Sequence, residues 1–265
     1  MTFRRFFRLL LIAIFVAAAV APAARAADKI GVVLLHGKGA PSPQGLLGEL
    51  IGELEDAGFL VVAPEMPWSK GRMLAKGYEE SMAEIDDAVT ALKAKGATKI
   101  VVGGHSMGAN AALGYGARRD GLAGVLAMAP GHVPDVEGFQ RLVEYHYRLA
   151  KKLVDAGKGD EVTDLNDVNQ GRGSPIGVKA AVYLSWFDPE GPAVFPKNAA
   201  ALKPGTALMW IIAEKDNMLK RGDGEDYAFA KAPKHPKSAY VVIDSNHRKT
   251  PADGADAIVA WLKTL

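Results

Sequence analysis

The sequence predicts an α/β fold, a three-layer sandwich in which a mainly parallel sheet of about six strands carries helices on both faces. Two observations lead there. Six short runs, IGVVLL, FLVVA, KIVVGG, GVLAMA, ALMWIIA and AYVVI, are continuously apolar, rich in Val and Ile, and bounded by Gly, Pro or Asp, as strands buried on both faces are. Between them, residues 42–57, 77–94, 107–119, 139–156 and 252–265 carry apolar residues at helical spacing. Strand and helix in alternation along one chain argue for a single parallel sheet covered on both sides. A hydrophobic content of 49% supplies the core such a sheet needs.

The chain begins differently. Residues 1–26 hold a basic start (Arg4, Arg5, Arg8), the apolar run LLLIAIFVAAAV and then Ala24-Arg25-Ala26, a small-x-small cleavage site. That is the layout of a secretory signal peptide, and the apolar part is short for a membrane span; an uncleaved N-terminal anchor is the alternative. Either places the globular part, residues 27–265, outside the cytoplasm, in the periplasm or the medium. Cleavage leaves no stable membrane span. The leader carries four of the 32 basic residues and none of the 30 acidic ones, so the remaining chain holds 28 against 30. The balance gives no support for nucleic-acid binding. The absence of cysteine excludes disulfides, a thiol nucleophile and thiolate metal sites.

One segment breaks the alternation. Residues 131–203 separate GVLAMA from ALMWIIA, and they contain the amphipathic YHYRLAKKLV and a Gly/Asn/Pro-rich stretch. So long an excursion is unusual for a plain loop. It reads as a cap over the C-terminal edge of the sheet, where open α/β sheets bind ligands, or as an elaborated crossover with structural duties only.

The chemistry centres on KIVVGGHSMGAN, which contains G-x-S-x-G as Gly104-His105-Ser106-Met107-Gly108 after a buried strand and before a helix of small residues. A sharp strand-to-helix turn strains the serine backbone and crowds the positions two residues to either side, where glycine removes the offending Cβ atoms. Ser106 would project from the sheet edge, and the Met107 N–H would open the following helix as a donor. A serine hydroxyl needs a base, and the base needs a carboxylate to orient it. His247, in AYVVIDSNHRKT, lies between the last strand and the last helix, so its loop ends on the same edge as Ser106; His132 is the rival. Asp216, just past ALMWIIA, is the candidate acid, with Glu214 and Asp244 as neighbours. The turn after the first strand, LLHGKG, offers the Lys38 N–H as a second oxyanion donor, or merely starts the first helix.

Together, HG after the first strand, GHSMG at the elbow, Asp after the penultimate strand and His after the last resemble the α/β-hydrolase superfamily, esterases and lipases included. The resemblance runs from about Ile30 to Leu265 and implies a reduced α/β-hydrolase fold with the second strand at one edge. It implies Ser106 as nucleophile, Asp216 as acid, His247 as base, and Lys38 and Met107 as backbone oxyanion donors. Ala213 departs from the pattern, since a glycine often precedes the acid. The implied reaction is hydrolysis of an ester through an acyl-enzyme, with no cofactor and no metal, on a small-molecule or lipid-like acyl substrate. An acyltransferase using the same residues, or a non-catalytic accessory protein retaining the fold, are the alternatives. Trp68, Met66, Tyr145, Trp186, Phe187, Met218 and Leu219 are candidate linings of the site's mouth, although core packing is the weightier reading of each taken singly.

Overall fold

A computed structural model describes residues 28–216 and 224–265; the predicted leader lies outside the described residues. The order of elements is β1 (Ile30–Leu35), α1 (Gly48–Asp56), β2 (Leu60–Val62), α2 (Tyr78–Ala94), β3 (Lys99–His105), α3 (Met107–Arg118) and β4 (Gly124–Met128). There follow α4 (Glu137–Asp155), β5 (Val162–Asn169), β6 (Arg172–Lys179), α5 (Ala180–Phe187), α6 (Phe195–Ala200) and β7 (Ala207–Ala213). The described chain closes with α7 (Gly224–Tyr227), β8 (Ala239–Ile243), α8 (Thr250–Asp253) and α9 (Ala255–Leu262). Among the described residues no helix is long and apolar enough to cross a membrane.

The six apolar runs form one parallel sheet in the order β2-β1-β3-β4-β7-β8. Because successive side chains of a strand point to opposite faces, each central strand feeds two cores. Val33 and Leu35 of β1 and Leu208, Trp210 and Ile212 of β7 join the core beneath α2, α3 and the insertion. Val32 and Leu34, with Met209 and Ile211, join the core beneath α1 and α9. This double burial is why the strands are apolar without alternation. β2 lies at one edge, as the resemblance implies.

The chain passes from β1 outward to β2 and then returns to β3 on the other side of β1. Connections leaving the C-terminal ends of β1 and β3 therefore diverge, and a crevice opens between them. The register pairs Leu35 with Gly104, so the turn after β1 and the turn after β3 begin side by side.

The insertion between β4 and β7 is built from α4, the strands β5 and β6, α5 and α6. Phe139, Val143 and Ala150 turn the buried face of α4 inward. The Gly/Asn/Pro-rich stretch is an antiparallel hairpin of β5 and β6, which the sequence reading did not resolve. Leu165, Val168, Ile176 and Val178 supply its buried side, and the remaining positions are polar residues, glycines, Pro175 and the exposed Val162. At its tip Gln170 and Gly171 have φ of 52° and 76°, the positive pair that a two-residue hairpin turn requires. Asn110 on α3 ties the insertion to the sheet: its Nδ2 donates to His132 O (2.9 Å) and Ala193 O (2.7 Å), while its Oδ1 accepts from Tyr78 Oη (3.0 Å).

Candidate active site

Ser106 stands at the junction of β3 and α3 with φ 56° and ψ −117°, a strained backbone for a residue bearing a side chain. Close packing holds it there. A Cβ at position 104 would overlap the carbonyl of Gly108, and one at 108 would overlap the carbonyl of Leu35 at the end of β1. The turn can be this tight only because both positions lack a side chain. The Ser106 N–H donates to Met128 O at 3.0 Å, which ties the elbow to β4.

Asp216 and His247 come from neighbouring strand ends. Beyond the paired residues of β7 and β8, Glu214 N donates to Ile243 O (2.9 Å) and Lys215 N to Ser245 O (3.3 Å), so the two loops leave the sheet as a pair. The outcome is a hydrogen bond of 2.7 Å between His247 Nδ1 and Asp216 Oδ2, with the Asp216 side chain 1% exposed. Glu214 is exposed, and the exposed carboxylate of Asp244 is occupied by Lys215 at 2.7 Å. Asn246 shapes the histidine's loop, its Oδ1 accepting from the N–H groups of Arg248 (3.1 Å) and Lys249 (3.2 Å).

Two further histidines, His105 of the elbow and His36 of the turn after β1, support this arrangement. His105, one residue before Ser106, donates from Nε2 to His247 O at 2.8 Å, with the two rings 4.9 Å apart. Burial, followed by the nearby His247, depresses its pKa to about 4, so the ring remains a neutral donor at pH 7. His36 locks the turn after β1: Nδ1 donates to Gly37 O (2.8 Å), and Nε2 accepts from Met66 N (2.9 Å). Trp68 Nε1 donates to His36 O at 2.7 Å, and Gly39 N donates to Trp68 O at 2.8 Å. The backbone of Lys38 is thereby fixed beside the crevice.

The Lys38 side chain has its own task. Its ammonium meets the carboxylate of Asp167, Val168 O (3.0 Å) and His132 Nδ1 (3.2 Å), using all three donors on the insertion. Lys38 and Asp167 side chains are 8% and 13% exposed, so removing either leaves a buried charge unpaired, at a cost of about 3–5 kcal/mol. The same bonds answer the question about His132. With Nδ1 accepting from Lys38, Nε2 carries the proton and donates to Trp186 O at 2.8 Å. Neither nitrogen is left to take a proton from Ser106, and burial lowers the ring's pKa well below 6.5.

Ser106, Met107, Lys38, Asp216 and His247 all front one cavity. Gly131 fronts it too; its N–H donates to Ser106 O at 3.2 Å, and a Cβ there would lie 2.8 Å from Ser106 Oγ. Nothing in the local sequence marks Gly131, because only a tertiary contact reveals it. Most of the candidate mouth residues take the core-packing role, the weightier of their two readings. Met66, Trp68, Trp186 and Phe187 are buried in the core between insertion and sheet, where Trp68 and Trp186 meet edge to face at 5.5 Å. Tyr145 points outward from α4 at 73% exposure, and Met218 and Leu219 lie outside the described residues. The wall is made instead by Val133, Phe139 and the hairpin tip.

Solved structures share this architecture. A monoacylglycerol lipase of Paleococcus ferrophilus is similar at TM-score 0.61 and 24% identity, over 88% of this chain and 94% of that one. A thermostable carboxyl esterase of Bacillus coagulans is similar at TM-score 0.63 and 15% identity, over 89% and 90%. An esterase of Pyrococcus furiosus is similar at TM-score 0.56 and 17% identity, over 90% and 82%. At these identities the likeness establishes the fold alone. A search of curated proteins finds no match to the sequence. Residues 32–261 match the profile of the Alpha/beta hydrolase family. With the sheet order and the strained strand-to-helix turn already described, that match over most of the chain shows that the protein belongs to the α/β-hydrolase family.

Proposed function

We propose that the protein is a serine hydrolase of carboxylic esters that works through an acyl-enzyme. The observation that carries this reading is the 2.7 Å bond from His247 Nδ1 to Asp216, placed on a cavity that also exposes the strained Ser106. With its Nδ1–H donated to Asp216, the imidazole has its Nε2 lone pair available as base. Ser106 Oγ attacks the ester carbonyl as Nε2 takes its proton, and the Lys38 and Met107 N–H groups receive the developing oxyanion. Collapse expels the alcohol, which takes the proton from His247. Water, deprotonated by the same nitrogen, then attacks the acyl-enzyme and releases the acid with Ser106 restored. The relatives of the same fold that act on esters support the reaction class. The leader-like residues 1–26 support export to the periplasm or medium, and the insertion over the crevice supports a role as a cap.

The direct test is turnover of p-nitrophenyl acetate by purified protein and its Ser106→Ala variant. Loss of at least a thousandfold in kcat is expected, and equal rates would end the proposal. A second variant probes the space around the nucleophile. Gly131→Ala is expected to slow acylation by about a hundredfold or more, because its methyl displaces Ser106 Oγ from its line of attack. Acylation at the wild-type rate would show that Gly131 is not a wall of the reacting centre.

A further inference from the structure

The crevice at Ser106 is divided into two lobes of very different size. One has a volume of about 70 Å³ and runs past Met107 to Val133 and Phe139. The other, about 420 Å³, opens past Gly39 and Pro41 to Leu46 and Arg248. Lys38, Ser106, His247, Asn169 and Gln170 front both, so the hairpin tip forms the partition between them.

Volume sets what each lobe can hold. A cavity of about 150 Å³ takes benzene, with six heavy atoms, so the small lobe has room for about three. The large lobe lies in the ordinary range for a small-molecule site. Among the described residues the floor of the small lobe is fixed, and its rim is the exposed hairpin tip of Asn169, Gln170 and Gly171. Val133 and Phe139 are each 4% exposed, and Phe139 packs on His132 at 5.2 Å and Phe187 at 5.8 Å. His132 is held through both ring nitrogens, and the hairpin above is held by Lys38 through Asp167 and Val168.

We propose that the site is selective for asymmetric esters: one substituent of the reacting carbonyl is limited to about three carbons, and the other is large. This rests on the ester-hydrolase reading and names the substrate class within it. The limit falls on the acyl chain if that chain enters the small lobe, giving a short-chain acyl esterase. It falls on the alcohol if the leaving group enters there.

The test measures kcat/KM for two series with the wild-type protein: p-nitrophenyl esters of two to eight carbons, and methyl to octyl esters of one large aromatic acid. A fall of tenfold or more between three and five carbons is expected in one series only, since a single misplaced methylene costs at least about tenfold in a tight pocket. Val133→Ala removes two wall carbons and is expected to move the cut-off outward by one or two carbons in that same series. Phe139→Leu provides a second enlargement should the first variant fold poorly. Two series that stay within threefold, two series that both fall, or a cut-off that neither variant moves would each overturn the proposal. Fluorophosphonate labelling of Ser106 is run alongside: labelled protein with flat series overturns only the size limit, while unlabelled, inactive protein overturns the underlying reading as well.

Discussion

Asp216→Asn is expected to lower kcat on an ester substrate by about 10⁴ with little change in KM. The bond to His247 Nδ1 measures 2.7 Å and the carboxylate is 1% exposed, so no water replaces it readily. An asparagine amide in the same place donates from its nitrogen to Nδ1. The imidazole then carries its proton on Nε2, the position that must accept the proton of Ser106. The protein should bind substrate normally and stall at chemistry. Asp244→Asn serves as the control, since that side chain is exposed and pairs with Lys215; its kcat should stay within about twofold. A fall of less than tenfold for Asp216→Asn, or an equal fall for Asp244→Asn, would remove Asp216 from the proposed role.

Mild acid is expected to destabilise the protein. His36, His105 and His132 all have pKa values lowered by burial, His105 to about 4. Below pH 6.5 the unfolded chain takes up protons at these rings that the folded chain refuses, so stability falls as pH drops from about 6.5 towards 4. His105 alone accounts for roughly 3 kcal/mol across that window, at 1.36 kcal/mol per unit. That is a large part of the 5–15 kcal/mol total of an ordinary domain. His36 and His132 act in the same direction. Asp135 opposes them, because burial raises its pKa and the folded chain gains from its protonation; one partly buried carboxyl does not offset three rings. Thermal unfolding followed by circular dichroism should show Tm dropping by more than 5 °C between pH 7 and pH 4.5. His105→Gln, which retains a donor towards His247 O but cannot titrate, should drop by less. A Tm unchanged across this range would mean that these rings titrate equally in both states.

What the sequence disclosed follows from which contacts are local. The six strands were legible because both faces of the sheet are covered, leaving runs such as ALMWIIA with no polar residue. The helix at 107–119 and the elbow before it were legible because Gly104 and Gly108 flank Ser106 symmetrically in one short motif, although the contact that requires Gly108 comes from Leu35 on β1. Chain order then pointed to Asp216 and His247, whose loops leave neighbouring strands. The hairpin of β5 and β6 was hidden: only Leu165, Val168, Ile176 and Val178 among its residues face inward, Pro175 lies within β6, and its turn is Gln-Gly instead of Asn-Gly. Helix 252–265 is broken in the structure, with Gly254 between α8 and α9. Roles that depend on residues far apart were not legible at all. His36 reaches across 30 residues to Met66, His105 across 142 to His247, and the Lys38 ammonium across 129 to Asp167. The aromatics went to the core for a related reason: the insertion must pack against α2 and α3, and Trp68, Tyr78 and Trp186 fill that interface.

The central claim is that Ser106 is the group that carries the acyl chain. Intact-mass analysis after treatment with a fluorophosphonate, followed by peptide mapping, measures it most directly. The account predicts one adduct per chain, mapped to Ser106, absent from Ser106→Ala and formed far more slowly in Asp216→Asn. An adduct on another residue, or ester turnover that persists in Ser106→Ala, would contradict it.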